Sequence, residues 1–409
     1  MSKIGIVGMG KLGLPVALAI ESKGHEVWGY DVRNEPYDYI KNRSIPYKEK
    51  DIEPLLLNSK INMTHDLSEL LNESDILFLP VQTPHDPLYE GSTRLPDERK
   101  DFDYSYLTSA ISSIVTSSAY VDKKITLAVI STCLPGTYES IIKPLLNDKI
   151  DYVYTPQFIA MGTVLDDYLN PEFDLIGVDS VEAAGKLKEF YSSINDAPHL
   201  ETDITTAEGI KVAYNTFITM KTVLANTWGE LSEKIGMNVD DIFRSWGMSS
   251  KRLLSTKYLR SGVGDGGGCH PRDNIALSWL AQQNKLSHNL FEDLMKSRES
   301  HMGWIGDYAY KYAESYDLDI IILGKSFKPE TNIETGSPAI LLNNLISEKV
   351  GVQQYEDLQF LPKALYIIGT QHEKYTKYEF IPGSIVIDPF RYIPDREGVR
   401  VVRIGGQCS

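Results

Sequence analysis

Apolar runs and helically spaced apolar positions alternate through the first 150 residues. Runs at residues 4–7, 26–30, 76–81, 125–131 and 152–155 read as buried strands, and the segments between them carry apolar side chains at helical spacing. That rhythm predicts a parallel, doubly wound sheet. Residues 83–103 interrupt it with a Pro- and Asp-rich stretch, too long and too polar for an ordinary connection. A surface excursion near the carboxyl edge of the sheet is expected there.

From residue 204 to about residue 237 the pattern becomes one long helical run, with Ala207, Ile210, Phe217, Trp228 and Leu231 placing apolar groups on more than one face. A helix buried on several sides commonly spans domains or a subunit interface. A second helix is expected at 240–246, a Gly-rich stretch follows at 261–268, and helical spacing resumes over 274–316. Strand signals return at 319–324, 365–369 and 384–388. The expected fold class is α/β, with two Rossmann-like doubly wound domains joined by a helical middle. The expected domains are 1–202, 203–300 and 301–409.

Length and composition agree with this partition. A chain of 409 residues has room for two to three domains, and 42% hydrophobic with 24% charged residues is ordinary for a globular enzyme. Forty-one basic against 56 acidic residues give a net charge of −15, which disfavours a nucleic-acid or anionic-membrane surface. Any phosphate must therefore be held locally. Cys133, Cys269 and Cys408 form no C-x-x-C pair, so neither a zinc site nor any other metal is expected, and a reducing compartment is the simplest reading. With no leader pattern and no run of about 18 apolar residues, the expected location is the cytoplasm.

The most specific local signal is Gly8-Met9-Gly10-Lys11-Leu12-Gly13, a G-x-G-x-x-G between a strand and a helix. Asp31 ends the next strand eighteen residues later, where a carboxylate can accept hydrogen bonds from a ribose diol. The glycines permit the tight turn and the close approach of backbone amides to a pyrophosphate. Asp31 disfavours a 2′-phosphate and so favours NAD over NADP, although Arg33 nearby leaves NADP open. The segments holding Thr83 and Thr132 follow later strands, in the positions that line the ligand crevice of such sheets.

A second concentration of chemistry is Gly264-Asp265-Gly266-Gly267-Gly268-Cys269-His270-Pro271-Arg272-Asp273. Glycines before one Cys allow backbone to approach a ligand, Arg272 and His270 supply positive charge that favours a thiolate, and Asp273 is a neighbouring acid or base. The same residues also suit a small core Cys beside a mobile loop. A nucleophilic Cys beside a nicotinamide suggests aldehyde oxidation through a thiohemiacetal and a thioester. On the long helix, Lys211 and Asn215 are four apart and share a face, as an oxyanion-stabilising or alcohol-deprotonating pair would, or as a solvent-facing pair does.

Taken in order, these pieces resemble the UDP-glucose/GDP-mannose dehydrogenase family over nearly the whole chain. The segments that carry the resemblance are 8–13, 81–84, 131–137, 155–158, 207–211 with Asn215, 262–273 and 323–329. The resemblance implies NAD-dependent, four-electron oxidation of a nucleotide sugar's C6 alcohol to a carboxylate, with UDP-glucose as the default substrate. It implies Cys269 as nucleophile, Lys211 and Asn215 around the C6 oxygen, Asp273 assisting, and Thr132 near the nicotinamide. Gly8, Gly10, Lys11, Leu12, Gly13, Asp31, Arg33, Thr83 and Arg272 are the expected cofactor contacts. Gln157, Phe158, Ile159, Tyr258, Arg260, Gly262, Gly266, Phe327, Lys328 and Arg391 are expected on the substrate. A homodimer is expected through the middle region, and nucleotide-sugar binding by the last domain.

Departures from the family pattern accompany these matches. Gln157 and Met161 stand where the family has Glu, the first of these being implicated in thioester hydrolysis. Asp265 replaces an aromatic, Arg272 a Lys, and Thr335 an Arg that contacts NAD. Two other readings therefore remain: a two-electron dehydrogenase of the β-hydroxyacid type, and a non-catalytic nucleotide-sugar or NAD sensor.

Overall fold

The structure is a computed structural model that describes residues 2–84, 97–98, 100–255, 261–264, 266–267 and 270–405. It divides into two units, Met1–Thr219 and Met220–Ser409. In the first unit the strands are β1 (Lys3–Val7), β2 (Glu26–Tyr30), β3 (Asn62–Met63), β4 (Ile76–Leu79), β5 (Ile125–Val129), β6 (Ile150–Tyr154), β7 (Asp174–Val178) and β8 (His199–Thr202). They form one sheet in the order β3-β2-β1-β4-β5-β6-β7-β8, parallel except where β6 meets β7. The first six positions have the doubly wound dinucleotide-binding order. β4 and β5 are buried along their whole length, which explains their uninterrupted apolar runs.

The helix Gly13–Ser22 follows β1 and buries Gly13 through Ile20 against the sheet. Gly177 on β7 allows another close contact, because a Cβ there would lie 2.5 Å from Cβ of Ala207, near the start of the long helix Ile204–Ile235. That helix is therefore seated directly on the sheet at its first turns. The excursion after Thr83 returns to its origin: the Asp103 N–H donates to Pro84 O at 2.8 Å, while residues 85–96 and 99 lie outside the described residues.

The second unit holds β9 (Ile320–Leu323), β10 (Val352–Tyr355), β11 (Leu365–Ile368), β12 (Ile385–Asp388) and β13 (Arg400–Arg403), all parallel in the order β10-β9-β11-β12-β13. The single helical run read over 274–316 is two helices, His270–Gln283 and Leu290–Tyr316. Lys285 takes a left-handed φ of 50°, the Leu286 N–H closes back on Ala281 O at 3.0 Å, and the Asn289 side chain caps the next helix by accepting from Glu292 N–H. The break is only a few residues long, too short for apolar spacing alone to show it. Trp228, Leu231, Ala281 and Phe291 form a small apolar cluster of their own. Among the described residues, no helix is long and apolar enough to cross a membrane.

Candidate active site

The first turn after β1 has the geometry a dinucleotide requires. Gly8 has φ +104°, which disfavours side chains, and a Cβ on Gly13 would fall 1.8 Å from Gly8 O. No side chain caps the N-terminus of helix Gly13–Ser22, whose positive end faces the glycine turn as a phosphate site requires. Asp31 is buried; its Oδ2 accepts from Met9 N–H at 2.9 Å and its Oδ1 from Arg33 N–H at 2.9 Å. Oδ1 also accepts from Arg33 Nε at 3.4 Å, and Oδ2 retains a lone pair for a ribose hydroxyl. These features fit a bound NAD.

A cavity of about 800 Å³ opens beside this turn. Gly8, Gly10, Lys11, Leu12, Asp31, Arg33, Thr83 and Thr132 line it, together with Gln157, Ile159, Met161 and Lys211. Among the described residues its lining has three basic side chains, Lys11, Arg33 and Lys211, against one carboxylate, Asp31. In a chain of net charge −15, this is the local positive surface that a phosphate ligand needs. Gly13 acts through packing beneath the turn.

Lys211 projects from the long helix and is 8% exposed. Its ammonium donates to Gln157 O at 2.8 Å and lies 5.0 Å from the centre of the Phe158 ring. Burial holds its pKa below the usual lysine range. The Gln157 side chain is pinned from the other side: its Nε2 donates to Tyr191 OH at 3.0 Å and Thr155 O at 3.2 Å. Phe158 packs between Phe173 and Tyr214. Asn215 is exposed and does not line the cavity, so only Lys211 of the expected pair reaches it.

The Thr132 segment is fixed by the expected residue Thr83 and by Tyr154, Tyr104 and Glu208, to which sequence reasoning gave no role of their own. Thr83 Oγ1 donates to Thr132 O at 2.9 Å, Tyr154 OH accepts from Cys133 N–H at 3.1 Å, and Tyr104 OH accepts from Leu134 N–H at 3.1 Å. Glu208 receives the N–H groups of Gly136 and Tyr138. The one available signal was a Glu beside apolar neighbours three residues before Lys211. Cys133 is buried and its thiol pKa is pushed far up by burial, which removes it as a nucleophile.

In the second unit, Cys269, Tyr258 and Arg260 lie outside the described residues. Gly266 and Gly267 pack against Phe327 of the 323–329 segment: a Cβ on Gly266 would be 3.3 Å from Phe327 Cβ, and one on Gly267 would be 3.0 Å from Phe327 Cε2. Lys328 is exposed, with its Nζ 5.4 Å from the centre of the Phe327 ring. Arg391 clamps the other end of the Gly-rich stretch, its Nη1 donating to Ser261 Oγ at 2.6 Å and Ile404 O at 2.9 Å; Gly262 packs against Phe390. Arg272 is paired with Asp273 at 2.8 Å in the first turn of helix His270–Gln283.

Comparison with known proteins agrees with this geometry. Residues 2–195 match the NAD binding domain of the UDP-glucose/GDP-mannose dehydrogenase family, and residues 205–299 match its central domain. The chain belongs to this family. NAD is the cofactor of its N-terminal domain. Among related members, UDP-glucose 6-dehydrogenase of Rickettsia conorii is 25% identical over 98% of this chain and 97% of its own length. GDP-mannose 6-dehydrogenase of Pseudomonas aeruginosa is 28% identical over 85% of this chain and 79% of its own. A crystal structure of a ternary complex of GDP-mannose dehydrogenase from that bacterium matches the fold with a TM-score of 0.85, at 24% identity, covering 97% of this chain and 99% of the other. In this family member Gln157 and Met161 stand at the cavity wall.

Proposed function

We propose that this protein oxidises the C6 alcohol of a nucleotide sugar to the carboxylate, with UDP-glucose as the first substrate to test. The observation that carries the reading is Lys211, a buried amine on the cavity wall with lowered pKa and a backbone carbonyl as its acceptor. Such an amine, when neutral, takes the proton of an alcohol. NAD, when bound, accepts one hydride at each of the two oxidation steps.

In this reading Lys211 receives the C6 hydroxyl proton as the C6 hydride departs, leaving an aldehyde. The Cys269 thiolate adds to that aldehyde, giving a thiohemiacetal, and loss of the second hydride gives a thioester on the sulfur. Water then cleaves the C–S bond, releasing the carboxylate and restoring the thiol. Asp273 is the carboxylate assigned to assist, once its pairing with Arg272 opens. Thr132, held by Thr83, fixes the wall beside the nicotinamide. Lys328 and Arg391, with Gly262 and Gly266, are assigned to the nucleotide-sugar side. The reading includes a homodimer, supported by exposed Met220 and Val223 on the long helix, and a compartment that keeps the Cys269 thiol reduced.

Incubating the protein with NAD and UDP-glucose, GDP-mannose and UDP-N-acetylhexosamines in turn tests this reading. NADH and a uronate from one of them support it. One NADH with a stable aldehyde favours a two-electron enzyme, and ligand-induced thermal stabilisation without turnover favours a sensor.

A further inference from the structure

Beside the cavity lies a buried carboxylate that the reaction above does not use. Glu208 is 0% exposed and sits on the long helix three residues before Lys211. Its Oε2 accepts from Gly136 N–H at 2.7 Å and its Oε1 from Tyr138 N–H at 2.8 Å. Burial raises its pKa, the backbone amides oppose that rise, and the neighbouring charge that acts on it is another acid, Glu139. A buried carboxylate costs free energy unless its hydrogen bonds are satisfied, and here backbone amides at the start of the Tyr138–Ile142 turn satisfy them.

Those amides belong to the same segment as Thr132, on the cavity wall. The front of that segment is bonded to Thr83, Tyr154 and Tyr104, all carried by the sheet or by the segments following it. Its back is bonded to Glu208 and hence to the helix that carries Lys211. The two cavity walls, one bearing Thr132 and the other Lys211, are therefore joined through one side chain.

We propose that Glu208 is a positioning residue: it holds the Thr132 segment in register with Lys211, so that the cofactor and the sugar alcohol meet in a reactive alignment. This rests on the function proposed above. Small errors in the alignment of reacting atoms cost about a hundredfold in rate, so the effect belongs in the hydride step rather than in substrate binding.

Glu208→Gln tests it, since the amide cannot accept on both ends and turns an N–H₂ toward a backbone donor. Glu208→Asp keeps the charge on a shorter arm, and Glu139→Gln is a surface control. Two measurements are made on each variant. The first is amide hydrogen exchange across residues 131–138 in the ligand-free protein, where Glu208→Gln is expected to exchange faster than wild type while the strands keep their protection. The second is kcat and its isotope effect with a 6,6-dideuterated nucleotide sugar. Glu208→Gln is expected to lose roughly 10- to 100-fold in kcat, with KM for the sugar changed far less and a larger isotope effect. Glu208→Asp is expected to fall between it and wild type.

A purely structural role would lower the active fraction and loosen exchange throughout the first unit, leaving KM and the isotope effect unchanged; that result overturns the proposal. Unchanged exchange at 131–138 also overturns it, whether or not the wild type turns over. Wild-type protein inactive on every nucleotide sugar would instead overturn the proposed function, and the exchange measurement would still decide whether Glu208 tethers the segment.

Discussion

The Lys211 ammonium donates to the backbone carbonyl of Gln157 at 2.8 Å, and the Gln157 side chain turns away to Tyr191 and Thr155. A lysine held this way has an acceptor but, among the described residues, no carboxylate to stabilise its charge. Burial therefore lowers its pKa without opposition. The neutral amine is the form that can accept a proton, so kcat is expected to rise with pH on a limb whose apparent pKa lies below the usual lysine value. Lys211→Arg, which stays charged, should lose that limb and about 10²- to 10⁴-fold in kcat. A pH–rate profile of both proteins checks this.

The same burial has a stability consequence. The folded pKa of Lys211 lies below its unfolded value, so its neutral state costs nothing above the unfolded pKa, and the protein is destabilised as pH falls through the window between the two. Lys211→Met should therefore be more resistant to urea than wild type near pH 7, with the difference vanishing at strongly alkaline pH. An equal or lower midpoint at pH 7 would count against an uncompensated amine.

Gln157→Glu reverses a donor. Nε2 of Gln157 donates to Thr155 O at 3.2 Å, and a carboxylate cannot. The variant should lose about 1–3 kcal/mol of stability at neutral pH. Because the protonated acid can donate again, its folded pKa is raised; the loss should be small below the unfolded Glu pKa and should grow as pH rises through the folded value. Urea titrations at acid and neutral pH measure this. In single-turnover experiments the same variant should hydrolyse the thioester faster, since the new carboxylate can activate water.

Glycine substitutions separate close approach from helix propensity. Gly13→Ala places a Cβ 1.8 Å from Gly8 O, so it should cost more than about 3 kcal/mol and abolish NAD binding. Gly185→Ala, in helix Val181–Ser192 with nothing within 4 Å of the added methyl, should stabilise by about 0.5–1 kcal/mol. Thermal melts with and without NAD report both.

The contrast between Gly13 and Glu208 explains what the sequence made legible. Gly8, Gly10, Gly13 and Asp31 lie within one strand–turn–helix–strand unit, so their spacing alone identifies the dinucleotide turn. Glu208 meets Gly136 and Tyr138 across 72 and 70 residues, and no local pattern encodes that meeting. Strands β4 and β5 were legible because full burial makes them continuously apolar. β8, β10 and β13 were not, being edge strands with polar or half-exposed positions, and β3 is only two residues long. The family pattern supplied the functional meaning of Lys328 and Arg391, whose side chains in the structure lie against Phe327 and Ser261.

Counting electrons tests the central claim most directly. With limiting nucleotide sugar and excess NAD, the wild-type protein should form two NADH per sugar consumed and a uronate as the only sugar product, and Cys269→Ser should form none of that carboxylate. One NADH per sugar with a free aldehyde, or undiminished uronate from Cys269→Ser, would contradict the account.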